Sequence, residues 1–161
     1  MEIPATCQLN IRPAQLNDLT SINIIAQQVH NLHVTLRPDL YTRVAEVITA
    51  ELFRDLLANA LVFVGEIKKV IVSYAVCLPR NVNVSVMTKR QVLLIDALAN
   101  DEQYRNYGVG RKMMEYIFDY ARQTGYQSVE LQAIAGNTAA IEFYRHLGWS
   151  EKAVILEKKI T

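Results

Sequence analysis

The chain has 161 residues, 51% of them hydrophobic, and 17 Lys and Arg stand against 16 Asp and Glu for a formal net charge of +1. One compact domain over residues 1–161 is expected, and the charge balance argues against nucleic acid, acidic membrane or a strongly charged protein tail as partner. Cys7 and Cys77 lack metal-type spacing and no apolar run approaches the ~20 residues that span a bilayer, so a cytoplasmic protein with reduced thiols and no metal is expected.

In chain order, Gln8 to Arg12 alternates apolar and polar residues and predicts a short edge strand ended by Pro13. Leu19, Ile22, Ala26, Val29, His33 and Leu36 lay one stripe along a helix that stops before Pro38. A second helix is predicted from Tyr41 to Leu57, with Val44, Ile48, Leu52 and Leu56 on one side. Ala60 to Ile67 and Val70 to Leu78, rich in Val and Ile and separated by Lys68 and Lys69, predict an antiparallel hairpin. Pro79 to Arg90 reads as a polar connection. Gln91 to Ala99 is almost continuously apolar, as in a strand covered on both faces, and Asp96 is its one anomaly.

Val109, Met113, Ile117 and Tyr120 mark a third helix ended by Gly125, and Val129, Leu131 and Ala133 the next strand. Gly136 and Asn137 precede a helix from Thr138 to Leu147, which Gly148 stops, and Val154 to Ile160 predicts a last strand. The order β-α-α-β-β-β-α-β-α-β describes an α/β (α+β) fold in which one crossover helix makes the fourth and fifth strands parallel.

Arg105-Asn106-Tyr107-Gly108-Val109-Gly110 joins a buried strand to an amphipathic helix, where glycines let backbone N–H groups approach an anion such as a pyrophosphate. Two glycines at such a junction also serve backbone geometry alone. Arg111 and Lys112 after Gly110 rule out the Gly-Lys-Ser/Thr ending of a nucleotide P-loop, and the dinucleotide fingerprint is absent. What remains resembles the Arg/Gln-x-x-Gly-x-Gly signature of the GNAT family of N-acetyltransferases, with Leu98 to Met114 giving that family's strand, loop and helix in order. The run Asn137-Thr-Ala-Ala-Ile141-Glu-Phe143-Tyr144-Arg-His-Leu147-Gly148-Trp149 is similar to the family's later segment. The likeness is motif-specific from Asp96 to Trp149 and extends over the rest at fold level. Asn100 departs from it, since the family usually has Val there.

The resemblance implies the GNAT fold, a mixed, mostly antiparallel twisted sheet with parallel, splayed fourth and fifth strands and helices on both faces. It implies acetyl-CoA as co-substrate and transfer of its acetyl group to a primary amine of a small molecule or peptide, by direct attack in a ternary complex. Arg105, Asn106, Tyr107, Gly108, Val109, Gly110 and Arg111 would wrap the pyrophosphate. The backbone of Leu98, Ala99 and Asn100 would pair with the pantetheine arm, and Asn137 and Tyr144 would approach the cofactor from the later helix. Tyr144 is the candidate acid for the leaving thiolate; read without the resemblance, it is an amphipathic core residue like Phe143 and Ile141.

Gln132 stands where some protein-acetylating relatives carry Glu, so a base must come from elsewhere. Asp96 is the candidate: it lies two residues before Leu98, and strand alternation puts both on one face. A structural carboxylate bonded to its neighbours is the equal alternative. His33 falls in the region that lines the acceptor site in related enzymes, although a His on an apolar stripe is more often a satisfied core residue. The alternative to an enzyme is a non-catalytic acyl-CoA-binding sensor or interaction module. The apolar run Val154-Ile155-Leu156 suits a core or an interface, and a homodimer through terminal strands is the corresponding expectation.

Overall fold

The computed structural model describes residues 8–160. Its elements are β1 (Asn10–Pro13), α1 (Leu19–Leu36), α2 (Ala50–Asn59), β2 (Leu61–Ile67), β3 (Val70–Val82), β4 (Arg90–Asn100), α3 (Val109–Thr124), β5 (Ser128–Leu131) and α4 (Thr138–His146). The strands form one sheet in the order β1-β2-β3-β4-β5, antiparallel except for the parallel pair β4–β5. Cys7 lies outside the described residues. Among those residues no helix is long and apolar enough to cross a membrane.

The two faces of the sheet carry different helices. Ile22, Ile25 and Ala26 of α1 and Phe53 of α2 pack with Val62, Val64, Tyr74, Val76 and Ala99 on one face. Met113, Met114, Ile117 and Ala121 of α3 pack with Phe63, Ala75, Cys77, Leu93 and Ile95 on the other, where Tyr144 of α4, Leu147 and Trp149 join them. Each buried Val, Leu, Ile, Phe or Met among them contributes about 1.5–3 kcal/mol, so the two apolar faces of β2, β3 and β4 are what hold the three layers together. Burial of Cys77 pushes its thiol up to about 12, which leaves it unreactive at neutral pH.

Three sequence expectations are corrected. The second helix starts at Ala50, with Thr49 as its cap accepting from the Leu52 N–H at 3.2 Å, and not at Tyr41. The preceding stretch is held as a loop because the Asn23 side chain clamps the Ile48 backbone, accepting from its N–H at 2.9 Å and donating to its carbonyl at 2.7 Å. Pro79 to Val82, expected in a polar connection, instead continue β3 and pair with Arg90 to Leu93. The strand expected from Val154 to Ile160 is not formed: residues 151–160 have no regular structure and are exposed. The β2–β3 turn, whose type sequence leaves open, has positive φ at both Lys68 (49°) and Lys69 (66°), the hand that suits a two-residue hairpin even without glycine.

At the amino end, Arg12 donates to both carboxylate oxygens of Asp18 at 2.8 and 3.0 Å, and the Gln15 N–H donates to Asp18 at 2.7 Å. The guanidinium holds the nearly buried Asp18 carboxyl below the usual carboxylate range and ties β1 to the start of α1.

Candidate functional site

β4 is much longer than its parallel neighbour, and that mismatch leaves part of its edge open. β5 pairs with Val92 to Ile95 alone, so from Asp96 to Asn100 the strand has β3 on one side and an open edge on the other. A parallel partner that parts company this way leaves backbone N–H and C=O groups directed at the gap. The chain then passes through a short 3-10 turn at Glu102–Tyr104 into the loop before α3.

That loop is shaped to present backbone donors. Asn106 (φ 67°) and Gly108 (φ 77°) both take the left-handed conformation, and no side chain caps α3. The first helical bond runs from the Lys112 N–H to Gly108 O at 3.1 Å, so the N–H groups of Gly108 to Arg111 precede it without an intrahelical acceptor. Free donors at the positive end of a helix are an anion site in waiting. Tyr107 packs beneath the loop with Tyr104 against Ile67, Val72 and Val109, while Arg105 is exposed and paired with Glu102 at 3.2 Å.

Gly110 has a second reason to be glycine: a Cβ there would lie 2.8 Å from Asn100 Nδ2 and 3.3 Å from Phe143 Cζ. Asn100 itself is held by Ser73, whose hydroxyl shares its proton between Asn100 Oδ1 at 2.8 Å and the Ala99 carbonyl at 3.0 Å. Ser73 is fully buried. The sequence reading missed this pair, although a serine within the apolar run Val70 to Leu78 is the same kind of signal that drew attention to Asp96. Asn100 therefore does more than lend its backbone: its amide bridges β3, the end of β4 and the start of α3.

α4 borders the same junction through Phe143. Asn137 caps this helix, accepting from the Ala140 N–H at 3.2 Å. Tyr144 packs between Phe143 and Trp149, with ring centroids 5.4 and 5.7 Å away, and burial raises its pKa above the usual phenol range. It is thus both a core residue and a phenol kept protonated.

The alternation that would set Asp96 beside Leu98 is broken. A β-bulge between Val76 and Cys77 pairs Val76 with Ala97 and Cys77 with Ile95, leaving Asp96 as the extra residue. Ala97 consequently belongs to the α1/α2 face, and Leu98 packs on the α3 face. The Asp96 carboxylate sits near Tyr74 on the α1/α2 face, where its charge adds to burial in pushing that phenol up to about 12. Asp96 is exposed, contrary to a strand covered on both faces, and makes no hydrogen bond or ion pair among the described residues, so the structural-carboxylate alternative has no partner there.

His33 occupies the last turn of α1, its ring 5.1 Å from that of Tyr41, and burial first and the charge of His30 second lower its pKa. His30 Nε2 lies 2.8 Å from the Thr42 carbonyl and pins the loop that follows α1. The end of α1 reaches the β5–α4 connection, because Leu36 Cδ2 is 3.9 Å from where a Cβ on Gly136 would stand. The structure thus brings Asn100, Gly110 and Phe143 together and sets Tyr144 beside Phe143; His33 and Asp96 belong to the opposite layer. Among the described residues no group of three or more His, Cys, Asp or Glu is placed to hold a metal.

An open strand edge leading into uncapped helix donors fits a ligand that carries amides at one end and phosphates at the other, as CoA does. Comparison with known proteins places the chain in a family. The chain is 36% identical over 72 residues to an uncharacterized N-acetyltransferase of Methanocaldococcus jannaschii, covering 45% of this chain and 32% of that one. It is 31% identical over 81 residues to the [ribosomal protein bS18]-alanine N-acetyltransferase of Escherichia coli, covering 48% of this chain and 55% of that one. The matches span about half or less of these relatives. A crystal structure of a tetramutant of the BH1408 protein of Bacillus halodurans superposes with a TM-score of 0.91 at 25% identity, covering 94% of this chain and 99% of that one. An aminoglycoside N-acetyltransferase, AAC(6')-Iy, in complex with CoA shares the fold at a TM-score of 0.68 and 16% identity, with 98% of each chain covered. The model of the acetyltransferase (GNAT) family matches residues 26–149, and the chain belongs to that family.

Proposed function

We propose that this protein transfers an acetyl group from acetyl-CoA to a primary amine of a small molecule or peptide. One observation carries the reading: the open edge of β4, from Asp96 to Asn100, runs into the uncapped amino end of α3. Pantetheine amides match the first, and a pyrophosphate matches the N–H groups of Gly108 to Arg111. In the reaction the neutral amine attacks the thioester carbonyl, a C–N bond forms and the C–S bond breaks. The thiolate takes the Tyr144 proton, and the amine's proton leaves to Asp96, directly or through water. Backbone N–H groups on the β4 edge stabilise the oxyanion between these events. Cys77 is buried, and its raised pKa suits transfer without an enzyme-bound acyl group.

Gln132 in place of an acidic side chain and the near-neutral chain favour a small amine or a short amino-terminal segment over a basic protein tail. The named activity of the E. coli relative, on an alanine of ribosomal protein bS18, makes an alanine-initiated peptide the first acceptor to try. The test is thiol release from acetyl-CoA across small amines and such peptides, with Tyr144→Phe as the control. Acceptor-dependent release that the substitution suppresses supports the proposal. Tight CoA binding with no release from any acceptor would instead identify a sensor.

A further inference from the structure

The far end of the β3–β4 hairpin reaches beyond the sheet that carries it. β2 covers β3 only as far as Cys77, and β5 covers β4 only from Val92 onward, so the hairpin runs on past both neighbouring strands from Pro79 to Gln91. At its tip the Met87 N–H donates to the Val84 carbonyl at 3.0 Å and Arg90 Nη1 to the Thr88 carbonyl at 3.2 Å, which gives the turn a defined shape. Val84, Val86 and Met87 are 52%, 89% and 46% exposed on it. No layer of the protein lies over them, so the fold itself draws nothing from their apolar surface.

The same hairpin is basic within a chain that is otherwise balanced. No Asp or Glu lies between Glu66 and Asp96, although the chain has 16, and Arg80, Lys89 and Arg90 flank the tip. None of these three is in an ion pair among the described residues. Glu130 on β5, level with Leu94, is already held by Lys152. A net charge of +1 describes the whole chain, whereas a partner feels the charges within a Debye length of about 8–10 Å of its contact. Pro79 lacks an N–H in the stretch of β3 that β2 leaves open, which blunts that edge for strand addition by a peptide. From Pro79 to Gln91 there is no aromatic ring on which a nucleic-acid base could stack. Aliphatic side chains at the outermost point, with cations set behind them, instead match the headgroup layer of an anionic bilayer, which takes apolar groups below its phosphates and cations among them.

We propose that this tip, Val84, Val86 and Met87 with Arg80, Lys89 and Arg90, attaches the protein peripherally to an anionic membrane surface. Attachment of this kind needs no spanning helix. β4 leads from Arg90 at the tip to Asn100 at the open edge, and at ~3.3 Å per residue that end of the strand stands about 30 Å from the bilayer, on the aqueous side. The contact therefore fixes where the protein works and does not make lipid its acceptor. It does not depend on the reaction assigned above.

In flotation at about 0.1 M salt, vesicles of phosphatidylcholine with about 30% phosphatidylglycerol should carry the intact protein, and vesicles of phosphatidylcholine alone should not. Arg80→Gln, Lys89→Gln and Arg90→Gln together should weaken partitioning about 100-fold. Val86→Ser with Met87→Ser should weaken it about 10-fold or more and leave its salt dependence in place. These side chains lie at the protruding end of the hairpin, so far-UV circular dichroism and the unfolding midpoint should stay as they are. In a Cys7→Ser background, whose remaining Cys77 is buried, an environment-sensitive dye on Val86→Cys should shift to the blue with anionic vesicles. The same dye on Gln103→Cys, past the other end of β4, should not. No flotation, equal flotation on phosphatidylcholine alone, indifference to either set of substitutions, or a dye shift at position 103 in place of 86 would each overturn the proposal. Retention by an acidic protein or by polyuridylate, with none by vesicles, would overturn it as well.

Discussion

The two ends of the open β4 edge are built from different materials. Toward α3 the site is backbone: unpaired strand groups, two left-handed loop residues and four helix-end donors, braced from below by Tyr107 and from the side by Ser73 and Asn100. On the α1/α2 face the groups beside it are side chains carried by separate elements, Asp96 on a bulge and Tyr74 on the neighbouring strand, while His33 and Tyr41 pack on each other at the end of α1. Backbone donors recognise an invariant chemical group whatever residues surround them. Side chains on separate elements can be exchanged singly, so the same fold can keep one donor and change acceptors.

The largest effect should come from the residue assigned to chemistry and not to binding. Tyr144→Phe keeps the ring between Phe143 and Trp149 and removes the proton, so kcat should fall about 100-fold or more while KM for acetyl-CoA holds. Steady-state kinetics separate the two parameters; a change in KM alone would reduce Tyr144 to packing. Gly110→Ala probes the backbone half. Its Cβ would meet Asn100 Nδ2 at 2.8 Å, and Asn100 cannot retreat without leaving Ser73. A penalty of about 1–3 kcal/mol is expected for such overpacking, seen as KM for acetyl-CoA rising roughly 10-fold with kcat less affected. Adding Asn100→Ala removes the colliding amide and should restore much of the loss; independent, additive losses would show that the contact does not shape the loop.

On the side-chain half, Asp96→Asn should lower acceptor-dependent turnover by about 10-fold, less at high pH where more of the amine is already neutral. It should also lower the Tyr74 pKa from about 12, because the neighbouring negative charge is one of its two causes and burial, the larger, remains. Titration of phenolate absorbance in Tyr74-containing and Tyr74→Phe proteins reads that shift. An unchanged Tyr74 would place the carboxylate away from the α1/α2 face.

How much of this was legible beforehand follows the same division. Periodicity located α1 and α3 to the residue at one or both ends, because a buried stripe and a stop signal such as Gly125 or Pro38 act within one helical turn. The loop before α3 was legible because its left-handed turn takes a glycine, Gly108, where φ is positive. The bulge at Asp96 was not, since a bulge is set by pairing with a partner strand distant in sequence, and alternation read along one strand assigns the wrong face beyond it. Helix α2 was extended too far for a similar reason: the periodic Val44 and Ile48 belong to a loop that Asn23, on another element, holds by its backbone. The contact of Ser73 with Asn100 escaped because it runs across two strands. Val154 to Ile160 has the composition of a strand, but composition does not supply the neighbour a strand requires.

The smallest effect tests the end of α1 through pH. Burial and the nearby charge of His30 disfavour the protonated form of His33, so its pKa in the folded protein lies below the ordinary value. The unfolded chain then binds a proton more readily than the folded one, and protons draw the equilibrium toward unfolding. Stability from this group is complete above the unfolded value near 6.5 and declines as pH falls below it, levelling only beneath the folded pKa. Chemical denaturation at pH 7 and at successive steps toward pH ~5 should show a shallow loss that His33→Gln flattens and His30→Gln reduces. Asp18 gives a control in a lower window: its carboxyl is depressed by Arg12, so its contribution persists between pH 7 and ~5 and goes only as pH drops below about 4. A slope between pH 7 and ~5 that survives His33→Gln unchanged would mean that the imidazole is solvated like a surface histidine.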